Sequence, residues 1–429
     1  VANIEAADTA ALSTAVIAGL TTSQAAALTA DQVANLSTTQ FAKLNSTHIG
    51  ALGTNQIQAL TTDQASVMTA SQAAGLTTTQ VPRLEAADLA QLSTAVIAAL
   101  STTQFGALTN QQLADLTTTQ AGALTATQVS GMSTAQLAAM ETIDLAKLST
   151  SAIQGLTTEQ VAAFNADQVA ALTTTQLAKM SADQIGAIGT GPIQSLTTSQ
   201  AAALTAAQAA GLSTAQIANM ESADIAKLTT SVIATLTTDQ ARALTADQVA
   251  GLSTDQISKM TSSQIGAIGT AQIQSLTTDQ ASVLTAAQAA GLTTAQIAKL
   301  ESGDLVELST SVIAALTTTQ LAGLTNQQVA DLTTTQAMAF TANQAASLST
   351  DQLAAMETVD LVKLSTSAIQ GLTTTQMAAL TGDQVAALTT TQFAKLGADQ
   401  IAKIGTAQIE SLTTAQATAL TVTQVTGLT

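Results

Sequence analysis

Thr21-Thr22-Ser23-Gln24-Ala25-Ala26-Ala27-Leu28 is one unit of a pattern that runs the length of the chain. If its residues are numbered as places one to eight, place eight recurs at Leu20, Leu28, Leu36, Leu44, Leu52 and Leu60 and onward to Leu428. It is always Leu, Met, Ile or Phe. Place five is Ile, Val, Ala, Leu, Phe or Met, with Thr9 the exception, and place four is usually Gln. The octad is written about fifty-four times in 429 residues without a slip in register. A fixed internal period of this kind has to be recognised before any element is assigned, because it dictates the architecture.

A single continuous helix cannot use the pattern. Eight residues turn through about 800°, so the apolar pair would rotate by about 80° per octad and no stripe would form. A strand fails as well, because places five and eight have opposite parity and would point to opposite faces. A short helix restarted every octad fits. Thr or Ser at place one with Gln three residues later is a capping box, in which the hydroxyl accepts from the N3 amide and the Gln reaches back to the N-cap amide. The preceding Leu and the residue at place five then form the hydrophobic staple. A helix of about six residues does not survive alone in water, so stability must come from stacked neighbours.

Charge placement supports the same reading. The helix dipole favours acids in the first turn and bases in the last. All acidic residues except Asp115, Glu307, Asp331 and Glu410 fall on places one, three or four. Every Lys, from Lys43 to Lys403, falls on place seven with Arg83, and Arg242 sits one place earlier. Ten glycines, among them Gly19, Gly75 and Gly251, share place seven, where the helix must end and the chain turn back. The expected fold is all-α, a solenoid of very short capped helices, one per octad, coiled into a narrow superhelix. Leu and the residue at place five should lie inside, with Thr, Gln and Ala outside. Pro192 replaces Gln at N3, where the lost N–H is an orphan of the helix start, and is tolerable there; Pro82, at place six deeper in its helix, has no such account.

Residues 1–429 read as one continuous array and, because the chain starts and stops mid-octad, as an excerpt of a longer one. Correlated departures mark a larger period. Glu5, Glu85, Glu141, Glu221, Glu301 and Glu357 replace the capping hydroxyl, each with Asp three residues on, and the following octad lacks Gln, as in Ser93-Thr94-Ala95-Val96-Ile97. Six octads after an acid octad, Gly takes place one at Gly53, Gly189, Gly269 and Gly405. The acid octads are separated by ten, seven, ten, ten and seven octads, which defines 216-residue units 5–220 and 221–429, the second incomplete. If they share one face, both spacings must be near whole turns, which is met at about 3.4 octads per turn.

Composition bounds the function. Aromatic residues are 1% and charged residues 9% of the chain, Cys, Trp and Tyr are absent, and 46% is apolar. That apolar share is too high for intrinsic disorder. A net charge of −17 with basic residues spread singly disfavours nucleic acid. No apolar run approaches the ~18 residues of a membrane span. Absence of Cys excludes disulfides and is compatible with export.

Catalysis requires convergent, dissimilar groups, and no residue is put forward as catalytic, cofactor-binding or metal-binding; no cofactor is expected. His48 occupies a Gln place and reads as a capping substitute on the surface. The Glu-x-x-Asp octads could offer carboxylates to calcium, but a helix-dipole and short-capping role, with Asp reaching back, is favoured. Rows of Thr could present hydroxyls to ice or mineral, but first-place capping accounts for them.

Runs such as Leu-Thr-Thr-Asp-Gln-Ala and Leu-Ser-Thr-Asp-Gln-Ile resemble the octapeptide arrays of very large, repetitive bacterial cell-surface or secreted proteins, often adhesin-like. The resemblance covers the whole chain and implies an extracellular filament, stalk or matrix segment, non-enzymatic and self-associating along or between arrays. The alternative is a repetitive ligand-binding array for calcium, ice or mineral. Inserting one residue after Ala250 should lower the thermal midpoint far more than deleting octad 245–252 whole, because only the insertion breaks capping register. Equal losses in the two variants would contradict stacked octads.

Overall fold

A computed structural model of the chain describes residues 3–426. Among them are 51 α-helices of four to six residues and two short 3-10 helices, with no strand. Octad 173–180 shows how each unit is built. Leu177 N donates to Thr173 O at 2.9 Å and Met180 N to Leu177 O at 3.1 Å, closing one helical turn. Thr173 N donates to Gln176 Oε1 at 2.8 Å and Gln176 N to Thr173 Oγ1 at 3.2 Å, which is the capping box. The chain then passes to the next helix through two extended residues, as at Leu172 (φ −57°, ψ 132°) and Thr173 (φ −71°, ψ 153°).

Places five and eight form the core, as the periodicity predicts. Val33, Ile57, Leu113 and Leu353 at place five are 0% exposed, and place-eight residues such as Leu36 and Leu116 are nearly so. Gln at place four departs from expectation. It is buried, not outside: Gln168, Gln248 and Gln416 are each 1% exposed. Its Nε2, which the capping box leaves free, donates to main-chain carbonyls 28 and 31 residues earlier, as Gln176 does to Leu148 O at 2.8 Å and Leu145 O at 2.9 Å. A buried amide is tolerable only when both its ends are satisfied, and here both are.

These bonds set the coil. The chain forms two compact units, Val1–Met220 and Glu221–Thr429. Within each, an octad packs against the octad three further on and receives the Gln amide of the octad four further on. The turn therefore closes between three and four octads, a bracket that contains the expected 3.4.

Two local features differ from the sequence reading. No residue among those described, glycine included, has positive φ, so the place-seven glycines are not left-handed caps. At several of them close approach of turns is the reason instead: a Cβ on Gly371 would stand 2.6 Å from Ala342 O and one on Gly155 2.6 Å from Ala126 O, whereas Gly19 and Gly251 have no such contact. The Pro82 octad becomes a 3-10 helix at Val81–Arg83. Pro82 cannot make the place-six to place-two bond seen at Ala42 N to Thr38 O (3.0 Å), so the turn tightens, with Arg83 N on Gln80 O at 2.9 Å. Gln80 still reaches Leu52 O at 2.6 Å, so the coil is undisturbed.

Glycines at different places should therefore respond oppositely to the same change. Gly371→Ala drives a methyl into backbone and should destabilise by about 1–3 kcal/mol. At Gly303 the nearest atom to an added Cβ is Thr278 Cγ2 at 3.6 Å, so Gly303→Ala should stabilise its helix by about 0.5–1 kcal/mol. Denaturant midpoints of the two variants, compared with the parent chain, check this; a loss in both would refute it.

Candidate functional site

An exposed groove follows the line where one turn meets the next, between the end of one octad and the capping residues of the octad four further on. In ordinary octads its floor is the Gln amide, as where Gln56 lies beside Leu28 and Gly53, or Gln184 beside Leu156 and Ser181. His48 shows that the floor demands chemistry and not a particular residue. Its Nδ1 accepts from Asn45 N at 3.3 Å and its Nε2 lies 2.7 Å from Leu20 O, the two contacts a Gln would make. It caps as expected, but at 3% exposure it is a buried group and not a surface one.

The acid octads break the rule. Asp88, Asp144, Asp224, Asp304 and Asp360 occupy the Gln place and are 1–3% exposed. They do not reach back to cap: among the described residues no hydrogen bond joins any of them to the amide of its own Glu, and Asp88 Oδ2, Asp144 Oδ1 and Oδ2, Asp224 Oδ2, Asp304 Oδ2 and Asp360 Oδ1 are buried without a partner. The cause is length, since Asp is one methylene shorter than Gln. Burial, and then the charge of the Glu three residues before it, pushes each of these carboxyls up from 3.8 to about 6.

The opposing carbonyls are orphaned too. Leu60, Leu116, Leu276 and Leu332 stand 28 residues before Asp88, Asp144, Asp304 and Asp360, where a Gln would find its acceptor, and none of the four carbonyls receives a hydrogen bond among the described residues. Beside Glu357, which opens the Asp360 octad, the groove is lined by Ser302, Asp331, Leu332 and Thr333, with Ser302 Oγ donating to Asp331 Oδ2. Ser302 belongs to one acid octad and Glu357 to the next, so these two, seven octads apart, meet on one side of the second unit.

The other sequence candidates are placed as follows. First-place hydroxyls are engaged in capping, as at Thr157 Oγ1, which accepts from Gln160 N at 3.2 Å. They form no free row. Among the described residues no group of three or more His, Cys, Asp or Glu is arranged to hold a metal, and no helix is long and apolar enough to cross a membrane. The buried acids were visible in the sequence as a correlated departure from Gln, but their lack of partners follows only from the position of the preceding turn.

Short capped helices stacked turn on turn by one repeated side chain define a helical repeat solenoid. The ALTTAQ repeat model matches residues 1–38, 41–78, 81–118, 137–174, 217–254, 297–334 and 353–390, more than half of the chain, and the protein belongs to the ALTTAQ repeat family. No curated protein matches the chain.

The floor amide should carry much of the local stability. Gln336 accepts from Thr333 N at 3.0 Å and donates to Leu308 O at 2.9 Å and Leu305 O at 2.7 Å. Gln336→Met keeps the volume but removes half of a cap and orphans a buried carbonyl, at a cost of about 2–3 kcal/mol. The neighbouring exposed Thr335→Ala should stay within about 0.5 kcal/mol. Comparable denaturation midpoints for the two variants would show that the amide does not hold the turns together.

Proposed function

We propose that this chain is a non-enzymatic structural segment of an extracellular filament, adhesin stalk or surface matrix, with length as its main functional variable. The observation that carries the reading is the Gln bond between turns, which recurs with the same partners octad after octad. Each added octad then brings its own core pair, cap and tie to the preceding turn, so a chain can be extended without redesign. A surface location is supported by the resemblance to exported octapeptide arrays and by a chain that has no thiol to oxidise. Self-association between arrays would use exposed large apolar side chains such as Ile143, Met338 and Val359.

The rival reading, a calcium-binding array, would draw on the Glu-x-x-Asp octads. The two differ in thermodynamics, because a ligand that binds only the folded state raises its stability. Purified protein should image as thin particles of uniform width whose length grows in proportion to the number of octads supplied. Millimolar calcium should leave the thermal midpoint unchanged. Globular particles, or a midpoint that rises with calcium, would overturn the stalk reading.

A further inference from the structure

The acid octads place a carboxyl where every Gln octad places a donor, opposite a carbonyl that has lost its donor. A buried carboxyl at the Gln place and the carbonyl 28 residues before it, both left without a donor, call for something with a positive end. Water, a cation and a proton would each serve. Both oxygens of Asp144, and one oxygen each of Asp304 and Asp360, expose essentially no surface to a water-sized sphere, so at those oxygens neither a water nor a metal ion, which needs several oxygens around it, has room. A proton needs none.

We propose that each of the buried Asp88, Asp144, Asp304 and Asp360 is a proton-operated clasp: as the neutral acid it donates its O–H to the Leu carbonyl of the preceding turn, and on losing that proton it releases the turn. For Asp360 the acceptor is Leu332 and for Asp144 it is Leu116. Because Asp is shorter than Gln by one carbon–carbon bond, closing the clasp draws the two turns together locally. Opening it leaves a carboxylate facing a carbonyl, which is repulsive. The proton comes from and returns to solvent, so the step needs no other reactant.

The surroundings of Asp360 favour the neutral form. Its own octad carries Glu357 and Lys363, the turn before it Asp331, and the helix that packs on it from the following turn, Gly382–Ala387, carries Asp383; the helix beneath, Thr334–Met338, has no ionisable group. The identified electrostatic influence on it is Glu357, which acts with burial to raise its affinity for the proton. A folded-state pKa of about 6 against 3.8 means that the folded chain holds the proton more tightly than the unfolded one. The stabilisation is then complete below about pH 4 and is lost as pH rises through about 6. Within each unit the clasps stand seven octads apart, so each unit loosens at defined points and stays firm between them. This inference stands whether or not the chain serves as a stalk.

Amide hydrogen exchange, corrected for the intrinsic pH dependence of exchange, tests it on the whole chain. In the parent protein, octads 325–332 and 357–364 should lose protection by about tenfold or more between pH 4.5 and 7.5, while 373–388 changes little. Asp360→Gln, which restores both contacts of an ordinary octad, and Asp360→Asn, which keeps a donor, should be insensitive to pH over octads 325–332 and 357–364. Carbon-13 labelling of Asp should reveal a set of carboxyls titrating near 6, one fewer in each variant. Protection that does not depend on pH in the parent, or a dependence that survives in both variants, overturns the clasp. Recovery of protection at pH 7.5 on adding sodium or calcium chloride also overturns it, by making a cation the occupant.

Discussion

One planar amide holds this molecule together at two ranges at once. The Gln Oε1 closes the cap of its own four- to six-residue helix, and the Nε2, rigidly fixed on the other side of the same amide, is thereby aimed at the turn below. Neither bond is strong alone, about 0.5–1.5 kcal/mol net. Coupling them means that forming a helix also orients the donor that stacks it. The requirement explains why Gln dominates place four. Glu has the reach but no donor, Asn has the donor but not the reach, and neither occurs there anywhere in the chain. Imidazole has an acceptor and a donor on opposite edges, and His48 makes both bonds.

Much of the architecture could be read before any coordinates because its determinants are local. The eight-residue period, the place-one hydroxyl, the staple between places eight and five and the segregation of charge each concern residues within one octad, where helix rules apply directly. What could not be read depends on the turn below. Gln was expected outside because a polar side chain with one identified bond appears satisfied by it and free to face water; the second bond depends on a carbonyl 28 residues away. The same ignorance misplaced His48 and gave Asp a capping role that its length forbids. The missing donor of Pro82 is likewise absorbed by a 3-10 turn that the sequence does not announce.

The glycines teach a related point. Their seventh place in the octad suggested a left-handed helix end, yet the chain leaves each helix through an extended Leu and needs no such conformation. Several of them, Gly75, Gly155, Gly211 and Gly371 among them, stand where a neighbouring backbone leaves no room for a methyl group. Position within the octad was legible and the physical reason was not, because the same place serves as helix end locally and as contact point between turns. Lys at the same place in other octads shows that the close approach is confined to particular octads.

An array in which every turn is tied by the same bond has no preferred place to yield, and thermal motion would part it anywhere. The acid octads give it one. They come with a second defect, since the octad that follows puts Val96, Ala152, Val312 or Ala368 at the Gln place, buried and unable to donate. The carbonyls of Met68, Leu124, Leu284 and Phe340, 28 residues before them, accordingly receive no hydrogen bond among the described residues. Two adjacent ties are thus absent together, in consecutive octads of one turn, and the apolar member of the pair preserves the core while the acidic member does not. Were the purpose only to tolerate a lost amide, an apolar residue at both positions would cost less than a buried carboxyl. Retaining an ionisable group beside a second broken tie, at each acid octad, makes the strength of the seam depend on the solution outside.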